Sequence, residues 1–210
     1  MFKNICWSVD GTLFDTYPAI TYAISKSLNE LGGSLALNVI DGLVRHSLDH
    51  CLETLSQRFK LDPELIRSVA IRHYLNVPLK NQAPFPGVGD VCAFVQSHDG
   101  INVAVTHRDI ESTHHLMVTH DLAPFFADII SAEQGYPCLP DPNMVLAALK
   151  KHSLNPVETL LIGDRDLDIQ AGRAAGVRTC LFGKATRPHP SDFQIEYYRQ
   201  LLALLQEGNQ

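Results

Sequence analysis

Long apolar runs are missing from this sequence. Nowhere do its 210 residues string together the roughly 20 apolar side chains that a membrane-spanning helix needs, so no membrane partner is expected. The N-terminus lacks the extended apolar stretch and cleavage site of a secretory leader, and Asp10 interrupts it early. Cysteine is sparse and unpaired in pattern. Cys6, Cys51, Cys92, Cys138 and Cys180 are odd in number and never in CxxC spacing. That argues against a disulfide framework and for free thiols in a reducing cytosol. The expectation is a soluble cytoplasmic protein. Positive charge is also short: 17 Lys and Arg stand against 23 Asp and Glu, for a net charge of −6. No basic stripe is present, which excludes a nucleic-acid partner. Histidines number ten, yet no HExxH spacing occurs. The adjacent His114 and His115, with His120 nearby, face different sides of a helix, so a transition-metal site is not expected. There is no internal repeat or low-complexity tract, and nothing in the pattern fixes an oligomeric state.

What is present is a change of rhythm. Residues 2–9 (FKNICWSV) are short, bulky and apolar, the pattern of a buried strand. From Tyr17 to Leu31 the apolar residues Ile20, Ile24, Leu28 and Leu31 recur at helical spacing, and Gly32-Gly33 closes the helix. Helical patterns follow over 39–58 and 63–76. The second opens on Asp62-Pro63-Glu64, an N-cap, a proline at the first helical position and an acid in the first turn. "APFPGVGD" (83–90) marks a linker or helix entry. Beyond it, strands are predicted at 101–106, 127–131, 159–164 and 178–183. Helices are predicted at 108–120, 142–152 and 168–176, with a last helix at 192–206. Such alternation implies an α/β fold: a doubly wound, mostly parallel sheet with a Rossmann-like core. The first strand joins that sheet. The core domain is therefore expected over 1–15 and 83–210, with an inserted all-helical cap domain over 16–82. Cap and core would enclose the ligand pocket.

Ligands of open parallel sheets bind beyond the carboxyl ends of the strands. The residues predicted there are Ser8-Val9-Asp10-Gly11-Thr12, Thr106-His107-Arg108, Ser131-Ala132-Glu133 and the run from Gly163 to Asp168. Asp10, Asp164 and Asp168 repel one another unless a hard cation lies between them, and Mg²⁺ with oxygen ligands is the natural choice. Simpler roles compete. Asp10 could cap its own turn. Thr106 could be the N-cap of the 108–120 helix, and Asp164 and Asp168 turn and N-cap acids. Gly172 and Gly176 read as packing and helix-ending glycines. Arg108 and Arg165 could grip an anion or pair on the surface with Asp109 and Asp166. Lys80 and Lys184 are further cations without supporting spacing. The backbone N–H of His107 could meet phosphate.

"SVDGTLFDT", "VAVTHR" and "LLIGDRDLDIQAGRAAGVRT" occur in an order and spacing that resembles the haloacid dehalogenase-like phosphatases, especially the phosphoglycolate phosphatase-like group with a helical cap. "PFPGV" before the second motif fits that group too. The resemblance spans essentially the whole chain. In that family the first acid of an opening DxD attacks phosphorus and becomes an aspartyl phosphate. The second acid protonates the leaving group and then activates water. A Ser or Thr binds phosphoryl oxygens, a Lys in a KPxP stretch neutralises charge, and the acids of the last motif hold Mg²⁺. Carried over, the resemblance implies that Asp10 is the acid/base, that Thr106, His107, Gly11 and Thr12 bind phosphate, and that Asp10, Asp164 and Asp168 form the metal end. The substrate or ligand implied is a small phosphorylated metabolite or phosphate.

Two positions depart from the pattern. Ser8 stands where the nucleophilic Asp belongs, and in "CLPDP" Leu139 stands where the Lys belongs. A neutral hydroxyl is a poorer Mg²⁺ ligand than a carboxylate, so a weakened Mg²⁺ site is expected. Losing the Lys removes a charge on which phosphoryl transfer depends. A serine nucleophile needs a base, and a serine phosphate is an ordinary ester that water cleaves slowly. Three readings follow: a phosphatase scaffold with impaired or lost turnover, an active Mg²⁺-dependent phosphatase using a modified mechanism, or a non-enzymatic metabolite-binding or regulatory protein.

Overall fold

The apolar run at the start of the chain forms β1 (Asn4–Trp7), and every residue in it is buried. The same is true of β2 (Asn102–Thr106), whereas β3 (Phe126–Ser131) is only partly covered. β4 (Thr159–Gly163) is again buried throughout, and β5 (Arg178–Phe182) and β6 (Phe193–Ile195) complete the sheet. Strands covered on both faces carry continuous rather than alternating apolar sequence, which is why these runs look uniform. The computed structural model describes residues 2–184 and 189–207. The six described strands lie in the order β3-β2-β1-β4-β5-β6, and every pairing is parallel. The fold is the α/β, Rossmann-like architecture. The strand order reverses beside β1, the point of such a sheet where a ligand crevice is expected at the carboxyl ends. Trp7 sits opposite Ala104 on one side and Ile162 on the other. This register brings the residues following β1, β2 and β4 to one edge.

Alternate side chains of β1 feed two cores. Cys6 packs into an apolar cluster with Val103, Val105, Leu161, and residues of α7 (Asn143–Lys151) and α8 (Asp166–Ala174). Trp7 faces the other way, with its ring 5.7 Å from that of Tyr198 in α9 (Tyr198–Glu207). Its indole N–H donates to Asn102 Oδ1 at 2.9 Å. Asn102 in turn donates to the carbonyl of Cys92 in α5 (Val88–Ser97). Burying these polar groups is tolerable because each finds a partner. α6 (Ile110–Thr119) packs on β3.

The chain separates into two units, residues 1–14 with 84–210, and residues 15–83. The second unit is helical: α1 (Tyr17–Glu30), α2 (Leu37–His46), α3 (Leu48–Phe59) and α4 (Pro63–Tyr74). It owns a separate core of Tyr17, Ile24, Leu28, Ile40, Leu52, Leu55 and Ile66, among others. Asp62 caps α4 by accepting from the Glu64 N–H, as its sequence predicts. The single helix predicted over 39–58 is two. Ser47 adopts an extended conformation and accepts from His50 N–H, starting α3 afresh; a serine side chain competes with helix continuation in this way. The terminal helix predicted over 192–206 begins later, at Tyr198, because 193–195 pair with β5. A three-residue strand leaves too short a pattern to read. α8 starts at Asp166, two residues before its predicted start.

Candidate active site

The turn after β1 is closed by its own backbone. Gly11 N–H donates to the Phe14 carbonyl, and the N–H groups of Thr12, Leu13 and Phe14 all converge on Val9 O. Gly11 has φ +75°, a conformation that L side chains rarely adopt. Ser8 is buried, 4 % exposed, and its N–H continues the ladder to Ile162 O at 2.9 Å. Thr12 is fully buried; its hydroxyl donates to Asp164 Oδ1 at 3.0 Å across the crevice. Tyr198 donates its phenolic proton to Thr12 O at 2.8 Å. Tyr198 was not predicted as a site residue. It lies 186 positions away in the chain, and no local pattern marks a side chain that holds a remote turn.

Asp10, read as a possible cap of its own turn, reaches a residue beyond β2. Its carboxylate meets the Arg108 guanidinium side-on, Nη2 to Oδ1 at 2.7 Å and Nε to Oδ2 at 3.4 Å. Arg108's side chain is only 8 % exposed, so solvent screens the pair little. Arg165 likewise pairs with Asp168, Nε to Oδ2 at 3.4 Å. Both arginines thus pair with acids of the crevice, and Asp166 is met by His189 at 2.6 Å.

Thr106 ends β2 and accepts from Arg108 N–H at 3.0 Å. It is not the N-cap of α6. Asp109 holds that place by accepting from Ser112 N–H at 2.7 Å. Burial pushes the Asp109 carboxyl up, but its bonds to Ser112 and the nearby Arg108 charge bring it below the ordinary carboxylate range. His107 Nε2 accepts from Leu139 N–H at 2.8 Å, so its ring proton sits on Nδ1. Leu139 is buried and belongs to the apolar cluster beneath β2 and β4. The position where the family pattern places a Lys is therefore filled by core packing.

Past β4, Gly163 gives Asp168 its room. A Cβ at 163 would lie 2.2 Å from Asp168 Cβ. Asp168 is 1 % exposed, accepts from Arg165 N–H at 3.1 Å and so anchors the first turn of α8. Gly172 packs against Leu161 and Thr179, and Gly176, with φ +79°, follows the end of α8, in keeping with the packing and helix-ending roles read for them.

A family profile described as "Haloacid dehalogenase-like hydrolase" matches residues 5–182. The chain belongs to that family. It is 30% identical over 185 residues to the phosphoglycolate phosphatase of Aquifex aeolicus, covering 85% of this chain and 84% of that one. It is 29% identical over 182 residues to the phosphoglycolate phosphatase of Photobacterium profundum, covering 82% and 80%. A haloacid dehalogenase-like family hydrolase from Streptococcus pneumoniae shares the fold, with a TM-score of 0.82 at 19% identity over 97% of this chain and 98% of that one. Within the family the chain falls in the phosphoglycolate phosphatase-like group.

Haloacid dehalogenase-like phosphatases generally use Mg²⁺, but the donors here fit it poorly. The ion requires near-octahedral oxygen ligation and favours carboxylates. Ser8 offers a neutral hydroxyl, both Asp10 oxygens lie on a guanidinium, and the Asp168 carboxylate turns to the start of its helix. One Asp168 oxygen, Oδ1, is buried without a hydrogen-bond partner, yet one sealed oxygen is far from a coordination shell. Among the described residues no three His, Cys, Asp or Glu side chains form a group that could hold a metal ion. No described helix is long and apolar enough to cross a membrane.

Proposed function

We propose that this protein is a phosphatase scaffold that recognises small phosphorylated metabolites or phosphate, with turnover by the family's aspartyl-phosphate route impaired or lost and its Mg²⁺ site weakened. The observation that carries the reading is the Asp10–Arg108 pair beside Ser8. A serine hydroxyl attacks phosphorus only if a base takes its proton. Asp10 is the acid nearest in sequence to Ser8, and its carboxylate is bound to a guanidinium. Both of its oxygens already accept from Arg108, so serving Ser8 would have to compete with that pairing. Leu139 adds to this, since an apolar side chain supplies no charge to the transferring group. In this reading Thr106 and the His107 segment face the phosphoryl oxygens, and Asp10 and Asp164 keep the places of the acids.

The test is phosphate release from a panel of small phosphate esters with Mg²⁺. The unaltered protein would run beside Ser8→Asp and Ser8→Asp/Leu139→Lys. The expected result is release by the variants and none above background by the unaltered protein. Release by the unaltered protein that Asp10→Asn abolishes would overturn the reading in favour of an active enzyme with a modified mechanism.

A further inference from the structure

Three acids and two arginines meet at the carboxyl ends of β1, β2 and β4, and their pairing is ordered. Asp10 carries Arg108, Asp168 carries Arg165, and Asp164 accepts the Thr12 hydroxyl. Two of the three acids thus carry a cation. A divalent ion placed among three acids would serve the same electrostatic purpose, and the donors present suit one poorly. Resting on the reading above, we propose that this crevice is a metal-independent anion site in which Arg108 grips the phosphate group and Asp10 is its resident competitor.

The geometry of Arg108 supports this use. Its backbone is fixed at two points, by N–H donation to Thr106 Oγ1 at 3.0 Å and by Ser131 donating to its carbonyl at 2.7 Å. Its head is engaged through Nε and one Nη, the edge that matches two oxygens of a carboxylate or a phosphate equally well. The group facing that edge is a carboxylate, so the arrangement already shows which ligand charge and shape it takes. Thr106 accepts from Arg108 N–H, and its own hydroxyl proton remains a donor suited to the same anion. Anion binding then exchanges one oxyanion for another on the guanidinium. Asp10 opposes the exchange twice, by occupying the fork and by repelling the incoming charge.

The experiment is calorimetric titration of the full chain with inorganic phosphate, once in EDTA and once in Mg²⁺. Binding of equal affinity in both is expected. Arg108→Ala should weaken it by about tenfold or more, the loss of charge-assisted bonds, and Arg108→Lys should fall between, because it keeps charge without the fork. Asp10→Asn should tighten binding about tenfold; a gain of affinity is not imitated by a folding defect. Absence of phosphate binding, binding that requires Mg²⁺, indifference to Arg108→Ala, or weaker binding by Asp10→Asn would each overturn the inference. None of these depends on turnover, so the inference can fail while the reading of lost catalysis stands, and the reverse.

Discussion

The turns after β4 and after β1 border the same crevice, but they are built on different terms. After β4, the run from Gly163 to Asp168 keeps both acids of its motif. A glycine leaves space for Asp168, whose carboxylate anchors the following helix. After β1, the turn keeps its backbone closure, its Thr12 link to Asp164 and its Tyr198 brace. In the reading proposed above, what differs are the groups with chemical work to do: Ser8 takes the nucleophile position, Asp10 is paired with Arg108, and Leu139 at the Lys position lies in the core. On that reading, side chains that build the crevice are kept on both sides, and those that would react are altered on one. Such a fold lets architecture and catalysis separate, because its supports are mostly backbone and buried hydrogen bonds, whereas reactivity rests on a few side chains.

The comparison can be broken at the supports first. Gly163→Ala forces a Cβ into Asp168 at 2.2 Å and should lower unfolding free energy by about 3 kcal/mol, read by denaturant titration. Should it prove neutral, the β4 turn is looser than described. Next, Leu139→Lys buries an ammonium among apolar neighbours and should cost about 2 kcal/mol, while Ser8→Asp should cost less, since residue 8 borders the polar crevice. Equal costs would mean that the two altered positions share one environment. Tyr198→Phe removes the brace on Thr12 O and should cost about 1 kcal/mol, with no effect if the turn closes unaided.

A smaller effect serves as a control outside the crevice. Asp128 on β3 meets Lys151 at 2.6 Å and His152 at 2.9 Å. Burial raises its carboxyl, but these bonds outweigh burial and hold it below the ordinary range. A depressed carboxylate adds stability above its unfolded value of about 3.9 and loses it as pH falls through the folded value. Asp128→Asn should therefore be less stable by about 1 kcal/mol at pH 7, and the difference should vanish in acid. A gap independent of pH would contradict the assignment. Smallest of all, alkylation of the native protein should modify Cys138 and spare Cys6, Cys51, Cys92 and Cys180. Those four are buried, and desolvation pushes the thiols of Cys6, Cys51 and Cys180 up to about 12 and that of Cys92 higher still.

Much of this was legible in the sequence for a physical reason. Buried parallel strands need apolar runs, and Asp62-Pro63-Glu64 can do little but start a helix. The candidate residues Ser8, Asp10, Thr106 and Asp164 follow from where such strands end. What escaped was decided by competition between partners. Ser47 splits a helix whose apolar spacing continues through it. Asp109 takes the cap that Thr106 could have held. Arg108 meets Asp10, 98 residues away. Leu139 looks like a bare loss of charge until its packing is seen, and Tyr198 carries no motif because its task is to hold a carbonyl distant in sequence.

A single-turnover experiment decides whether the crevice persists without the chemistry. The unaltered protein, in excess over each of a panel of radiolabelled phosphate esters with Mg²⁺, would be quenched in acid and assayed for free phosphate and for label on the protein. Neither should form. Free phosphate formed in that single turnover, or a stable phosphate ester on Ser8, would contradict the proposed loss of turnover.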